Sequence, residues 1–402
     1  MPHSMYTPTS DSNAAQSWDY ILVGGGLANS LIACYLLEKH PQFNLLLLEA
    51  EAEIGGNHTW SFHQSDLTDK QMHWISPFIA HQWQGYDVSF PGFTRTLPGR
   101  YLSITSEKLA TTVASKLGSR LRCNSKVAVL TSNYVELING ERLTARAVID
   151  GRGYQPDPSV QVGHQAFLGQ EWQLRHPHQL LRPLLMDATV SQRFGYRFVY
   201  VLPLSAYSLL IEDTQYINDA HFSREQARAD IATYATEQGW ERVSLIREEQ
   251  GCLPITLSGC PESFWKTRKD QPCSGLRAGL YHPTTGYSLP LALTLAGLIA
   301  QHDLNGTVAL ATKIEHLART LWRKQRFFRA LNRMLFLAGS PTQRWQVMQR
   351  FYRLDEGLIS RFYAGHPTIT DKIRILAGSP PVPVYQALAA LANYSPGQRG
   401  VS

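Results

Sequence analysis

Short apolar runs separated by glycine-rich joins open the chain. Tyr20-Ile21-Leu22-Val23 has the length of a buried strand and passes directly into Gly24-Gly25-Gly26-Leu27-Ala28-Asn29. The apolar positions that follow predict a helix ending near Leu37, and a second strand closes on Glu49. Strand, glycine turn, helix, strand and terminal carboxylate make a dinucleotide-binding βαβ unit. The glycines admit a pyrophosphate, the helix N-terminus favours its charge, and the carboxylate accepts from ribose hydroxyls. Gly24, Gly25, Gly26, Leu27, Ala28 and Glu49 are the expected contacts. Asn29 stands at the third glycine position, which predicts slightly looser packing of helix on strand.

Later patterns extend the reading. Six residues past Glu49 come Gly55-Gly56-Asn57-His58, which resembles the extension of FAD-dependent desaturases and hydroxylases and favours FAD over NAD. Ala147-Val148-Ile149-Asp150 is an apolar run ending in Gly151-Arg152-Gly153, similar to the strand that returns to the flavin in two-domain FAD proteins. Residues 197–203 and 207–214 predict adjacent antiparallel strands joined by a short polar turn. The last quarter reads as helical, with a break at Gly378-Ser379-Pro380-Pro381-Val382-Pro383.

At 402 residues the chain exceeds what one core usually serves. The expected fold class is α/β: a Rossmann-like FAD-binding domain of the two-domain flavoprotein type, an inserted β-rich substrate domain and a helical C-terminal region. The FAD-binding domain is expected in three pieces, 18–65, 95–163 and 260–310, behind a disordered tail at 1–17. Residues 66–94 and 164–259 form the substrate domain, and 311–402 the helical, membrane-associating region.

Charge and cysteines narrow the setting. No apolar run reaches the roughly twenty residues that span a bilayer, and the polar N-terminus lacks a signal-peptide core, so an intracellular protein is expected. The five cysteines are irregularly spaced without a C-x-x-C pair, which argues for reduced thiols and against a metal site. Net charge is +6, and no acidic residue occurs between Glu315 and Asp355. Arg319, Arg323, Lys324, Arg326, Arg329, Arg333, Arg344, Arg350 and Arg353 accumulate there among aromatics. A basic amphipathic helix of this kind fits a membrane surface or a helix packed on the body with a solvated basic face. No nucleic-acid-binding motif accompanies it.

The carboxylates to weigh are Glu212-Asp213, at the end of a strongly apolar strand, and Glu248-Glu249. Each pair is either solvated or ion-paired, or contains an acid whose pKa is raised in an apolar pocket. Alternation along a strand lets only one member of a pair enter a given cavity.

Asn57-His58-Thr59-Trp60-Ser61-Phe62-His63, Asp150-Gly151-Arg152-Gly153, Leu210-Ile211-Glu212-Asp213-Thr214 and His282-Pro283-Thr284-Thr285-Gly286-Tyr287-Ser288 together resemble the bacterial lycopene β-cyclase family. The resemblance runs from Trp18 to Ala390. It implies a carotenoid-pathway isomerase that uses reduced FAD, with NADPH as electron donor, and closes a β-ionone ring at each end of lycopene by way of γ-carotene. It also implies a cytoplasmic enzyme peripheral to the inner face of the cell membrane. The family's catalytic carboxylate falls on Glu212, with Asp213 as lesser partner. Gly55, Gly56, Asn57, His58, Asp150, Gly151, Gly279, His282, Pro283, Thr285, Gly286 and Tyr287 fall on the flavin. Gly275-Leu276 stands where many flavoproteins have Gly-Asp, a departure that tells against the usual carboxylate contact to the ribityl chain.

Lycopene and β-carotene are isomers, so the reaction takes a proton in and a proton out with no net electrons, and a carboxylic acid is the minimum equipment. Trp60, Phe62, Tyr196 and Tyr287 are candidates for cation–π stabilisation, beside a plain packing role. The competing readings are a redox flavoenzyme acting on a prenyl or polyene lipid, and a lipid carrier that keeps a nucleotide fold.

Overall fold

The computed structural model describes residues 17–193, 195–218, 222–301, 306–377 and 384–392. Most of the expected tail and the 378–383 break lie outside them.

The opening apolar run forms the strand Trp18–Val23 at the centre of a six-stranded sheet. It pairs in parallel with Leu45–Leu48 on one side and Arg142–Asp150 on the other, where Val23 stands beside Asp150. A parallel pair needs a crossover, and the helix Leu27–Lys39 supplies it. That helix is buried between the sheet and a second apolar helix, Leu289–Ala300, in a core that includes Leu31, Ile32, Leu36, Leu293 and Ile299. Asn29 does not loosen the packing as expected. It is fully buried, its amide donates to the carbonyls of Val23 and Gly24 at 3.0 Å, and its side-chain oxygen accepts from Ser274 at 2.7 Å. Gly151 makes the room: a Cβ there would stand 2.3 Å from the Asn29 amide nitrogen.

The second sheet has eight strands, in the order Arg242–Gly259, Val160–Leu174, Ser208–Ile217, Tyr196–Ser205, Leu184–Asp187, His81–Phe90, Phe93–Thr105, Thr59–His63. The two strands read between residues 197 and 214 are present and antiparallel. Sheet membership draws the expected boundaries differently. Thr59–His63 and Phe93–Thr105, assigned to the dinucleotide unit from sequence, belong to this sheet, because residues 93–105 fold back on His81–Phe90 as a long hairpin.

One face of the second sheet carries Leu210, Phe198, Tyr216 and Leu202 and packs on C-terminal helices through Leu335, Phe336, Tyr352 and Tyr363. The opposite face carries Val199, Val201, Leu209 and Ile211 and packs on the helix Arg224–Glu237. The basic stretch runs through three helices, Thr307–Lys324, Arg326–Leu337 and Arg344–Tyr352, the first two joined at Gln325. Much of its charge is used inside the protein. Arg333 donates to the Leu257 carbonyl and Arg344 to those of Tyr216 and Phe336, Arg319 pairs with Glu315 and Glu262, and Arg329 is buried over the Trp322 ring.

Candidate functional site

The glycine turn and a large cavity form two adjoining parts of one site. At the turn, Gly24 has φ +95°, and a Cβ there would lie 2.8 Å from the Gly151 carbonyl oxygen. Gly25 donates its N–H to Glu49 Oε2 at 2.7 Å, and its carbonyl accepts from Gly55 N–H at 2.9 Å. Gly26 differs from both. Its φ of −70° suits any residue, and among the described residues, chain neighbours aside, no heavy atom lies within 4 Å of where a Cβ would stand. Nothing among the described residues demands glycine at this position; a pyrophosphate approaching the helix N-terminus would. Gly56, with φ +59° and open space around its missing Cβ, continues the same cradle. The residues therefore fit a dinucleotide. Leu27 is buried in the core and Ala28 packs on Gly275, so these two shape the turn.

Asp150 is 6 % exposed and bound by Arg152 at 2.9 Å, with Arg277 3.2 Å away. Burial pushes its pKa up, but the two guanidiniums outweigh burial and hold it below the usual carboxylate range. Asp150 and Gly151 thus buttress the turn from behind.

Beyond the turn lies a cavity of about 610 Å³, large enough for a ring system or one end of a long ligand. It gathers Gly55, Gly56, Asn57, His58, Glu212, Thr285, Gly286 and Tyr287 from three distant parts of the chain, together with Trp60 and the N-terminus of the helix Leu289–Ala300. Gly279, His282 and Pro283 do not line it. His282 is buried against Phe328 and Phe362, its Nδ1 accepts from Thr284 and Thr285 N–H, and burial lowers its pKa to about 4. It is a neutral ring that shapes the turn carrying Thr285 and Gly286. Phe62 and Tyr196 are fully buried in the cores and do not face the cavity.

Glu212 and Asp213 part company as strand alternation requires. Glu212 opens on the cavity among apolar and aromatic side chains, 9 % exposed, with the Thr214 hydroxyl donating to Oε1 at 2.6 Å. Burial raises its pKa to about 8, with the nearby Glu249 charge adding to the rise. Asp213 points to the opposite face, where Arg197 donates to it at 2.5 Å and Gln215 at 2.9 Å. It does not reach the cavity.

Two further features border the cavity, of which the sequence offers only Tyr287 and Glu249 as candidates. A hydroxyl chain runs along the cavity: Tyr200 donates to Ser61 at 2.8 Å, and Tyr101 stands 3.1 Å from the Tyr200 hydroxyl and 2.9 Å from that of Tyr287. A carboxylate–guanidinium cluster lies beside it, with Arg247 donating to Glu249 at 2.6 Å, to Glu171 at 2.7 Å and to the Thr59 hydroxyl at 2.8 Å. Strand parity alone would have put Tyr200 on the face of Phe198; its meeting with Ser61 and Tyr101 depends on sheet order.

Residues 19–389 match the family model described as lycopene cyclase protein. The chain is 53 % identical to the lycopene beta-cyclase of Pantoea ananas over 93 % of its length and 98 % of the relative's. It is 41 % identical to that of Paracoccus sp. over 93 % and 97 %. Among solved structures, a geranylgeranyl bacteriochlorophyll reductase-like protein of Thermoplasma acidophilum superposes with a TM-score of 0.60 at 12 % identity, covering 94 % of this chain and 99 % of that one. 2-Methyl-3-hydroxypyridine-5-carboxylic acid oxygenase gives 0.53 at 14 % identity, covering 83 % and 96 %. The structural neighbours share the fold of FAD-dependent oxidoreductases and monooxygenases, and the sequence relatives fix the branch: the chain belongs to the lycopene cyclase family.

Proposed function

We propose that this protein is a lycopene β-cyclase that converts lycopene through γ-carotene to β-carotene, with Glu212 as the proton donor. The observation that carries the assignment of the donor is a buried carboxyl facing a largely apolar cavity beside a dinucleotide cradle, with its pKa raised to about 8. Such an acid is protonated at neutral pH and has a proton to give. Delivery to carbon 2 of an end group leaves a cation at carbon 1, the carbon 5–6 double bond closes on it, and loss of the carbon-6 proton completes the ring. One such acid in one cavity handles one end group at a time, which makes monocyclic γ-carotene the intermediate. Trp60, Tyr200 and Tyr287 border the cavity with ring faces and edges suited to a transient cation.

Gly24–Gly26, Glu49, Gly55–His58 and Thr285–Tyr287 would hold FAD. When bound and reduced, with NADPH as donor, it supplies negative charge that stabilises the developing cation. The N-terminus of Leu289–Ala300 favours negative charge at that end of the cavity. The same fold serves redox flavoenzymes, and product mass separates the readings: cyclisation preserves it.

Protonation of Glu212 sets a pH dependence. Its pKa is 4.5 unfolded and about 8 folded, so the folded state holds the proton more tightly. Ring closure is expected to fall as pH rises through about 8. This residue's contribution to stability is full below pH 4.5, declines as pH climbs to about 8 and levels off above. Turnover profiles and melting temperatures of wild type and Glu212→Gln check this; a wild-type profile flat across that range would defeat it.

The substrate is dissolved in lipid, so membrane-surface contact belongs to the same reading. Among the described residues no helix is long and apolar enough to cross a membrane. Exposed Arg323, Lys324 and Arg326 lie at the junction of the first two basic helices, and Ile369, Ile373 and Leu376 expose one apolar face of the helix Ile369–Leu376. If each cation meets anionic headgroups at about 1 kcal/mol, reversing those three charges weakens liposome binding by two orders of magnitude or more, and salt does likewise. Unchanged binding would return these helices to a structural role. Arg333, bonded to the Leu257 carbonyl, is expected to affect folding instead.

A further inference from the structure

Glu249 and Glu212 stand on the same face of the eight-stranded sheet, two strands apart. Their register runs Tyr200, Glu212, Gly169, Glu249 across four neighbouring strands. The residue between the two acids is a glycine, so no side chain separates them. A Cβ on Gly169 would stand 3.1 Å from Glu249 Cγ and 3.5 Å from Glu212 Cβ. Both acids line the cavity.

Their hydrogen-bonding and ion-pair surroundings differ. Among the described residues no cation is bonded to Glu212, and its side-chain hydrogen-bond partner is the Thr214 hydroxyl. Glu249 is ion-paired with Arg247 at 2.6 Å, and Thr59 donates to it at 3.2 Å. Both bonds fall on Oε2, which leaves Oε1 without a hydrogen bond among the described residues. Arg247 is itself fixed by Glu171 at 2.7 Å. An uncharged acid and a clamped carboxylate in one cavity have the arrangement of an acid and a base.

Ring closure calls for both. Once the bond between carbons 1 and 6 has formed, the cation rests on carbon 5. It can be discharged by losing a proton from carbon 6, giving the β ring, from carbon 4, giving the ε ring, or from the carbon-5 methyl, giving an exocyclic alkene. The three products have the same mass, and only the position of the base chooses among them. We propose that Glu249 is the carboxylate that takes the carbon-6 proton and thereby fixes the ring as β; this rests on Glu212 as the proton donor. The step balances. Glu212 passes from acid to carboxylate, Glu249 from carboxylate to acid, the carbon-6–hydrogen bond breaks and its electron pair becomes the carbon 5–6 double bond. The proton then returns from Glu249 to Glu212 across the gap at Gly169, restoring both groups without an oxidant or reductant.

The test is Glu249→Gln in the flavin-loaded enzyme, given reduced FAD and lycopene in liposomes, with products separated by chromatography and identified by mass and absorption. The expected result is a fall in β-ring formation of about 10²-fold or more, the contribution of a positioned base, with ε and exocyclic ends of unchanged mass appearing in its place. A role confined to folding would slow β-ring formation without producing isomers, so β rings alone, at any rate, overturn the proposal. If the glutamine variant loses its flavin, Glu249→Asp, which keeps the charge opposite Arg247 but draws the carboxylate back by one methylene, takes its place: ε or exocyclic ends beside slowed β rings support the proposal, and β rings at the wild-type rate overturn it. Inactivity with flavin bound also overturns it, because it would put Glu249 before ring closure. None of these outcomes depends on Glu212→Gln, which tests the donor separately.

Discussion

Glu212→Gln should fold, retain flavin and form β rings about 10²–10⁴-fold more slowly, the range supplied by a positioned general acid. Glutamine keeps the length and shape of the protonated side chain, and its amide oxygen can still accept from Thr214. What it lacks is the proton. The variant should also be the more stable protein at alkaline pH, where the wild type must either ionise a side chain that is 9 % exposed or open around it. Loss of activity with gain of alkaline stability is a pairing that general damage to the fold would not produce. Asp213→Asn is the control: Asp213 lies on the other face with Arg197, so this change should lower stability without altering ring chemistry in the folded fraction. Cyclisation at the wild-type rate by Glu212→Gln, with reduced flavin present, would move the donor role elsewhere.

The features legible in the sequence are those whose geometry is local. The strand–turn–helix at 20–37 declares itself because every part lies within one turn of its neighbour. The divergence of Glu212 and Asp213 follows from alternation alone. The approach of Glu249 to Glu212 was not legible. It requires that Val160–Leu174 insert between their strands and that its residue in register be Gly169, facts held in the sheet order and not in any short window. The hydroxyl chain is hidden for the same reason, since Ser61, Tyr101, Tyr200 and Tyr287 come from four separate segments. The arginine-rich stretch misleads in the opposite direction. Its composition suggests a solvated basic face, yet Arg329, Arg333 and Arg344 turn inward to carbonyls and rings, because a long guanidinium can satisfy buried backbone oxygens that no sequence pattern marks.

Gly26→Val should yield a folded protein that neither retains FAD nor forms β rings. The argument rests on the contrast between two glycines in one turn. Gly24 is required by the protein: at φ +95° a side chain is strained by about 1–3 kcal/mol, and its Cβ would press on the Gly151 carbonyl at 2.8 Å. Gly26 is not. Its backbone is in an ordinary extended conformation and its Cβ position is open, so valine costs only about 1 kcal/mol as a poorer residue at the start of the helix. The added methyls would occupy the path by which a pyrophosphate reaches the N–H groups at the head of Leu27–Lys39. Melting temperature, flavin absorbance after gel filtration, and ring formation then separate the two variants. Gly24→Val is expected to lose stability and flavin together, and Gly26→Val to lose flavin from a protein that melts within a few degrees of wild type. Bound FAD and full turnover in Gly26→Val would mean that the open space at this turn serves something other than a dinucleotide.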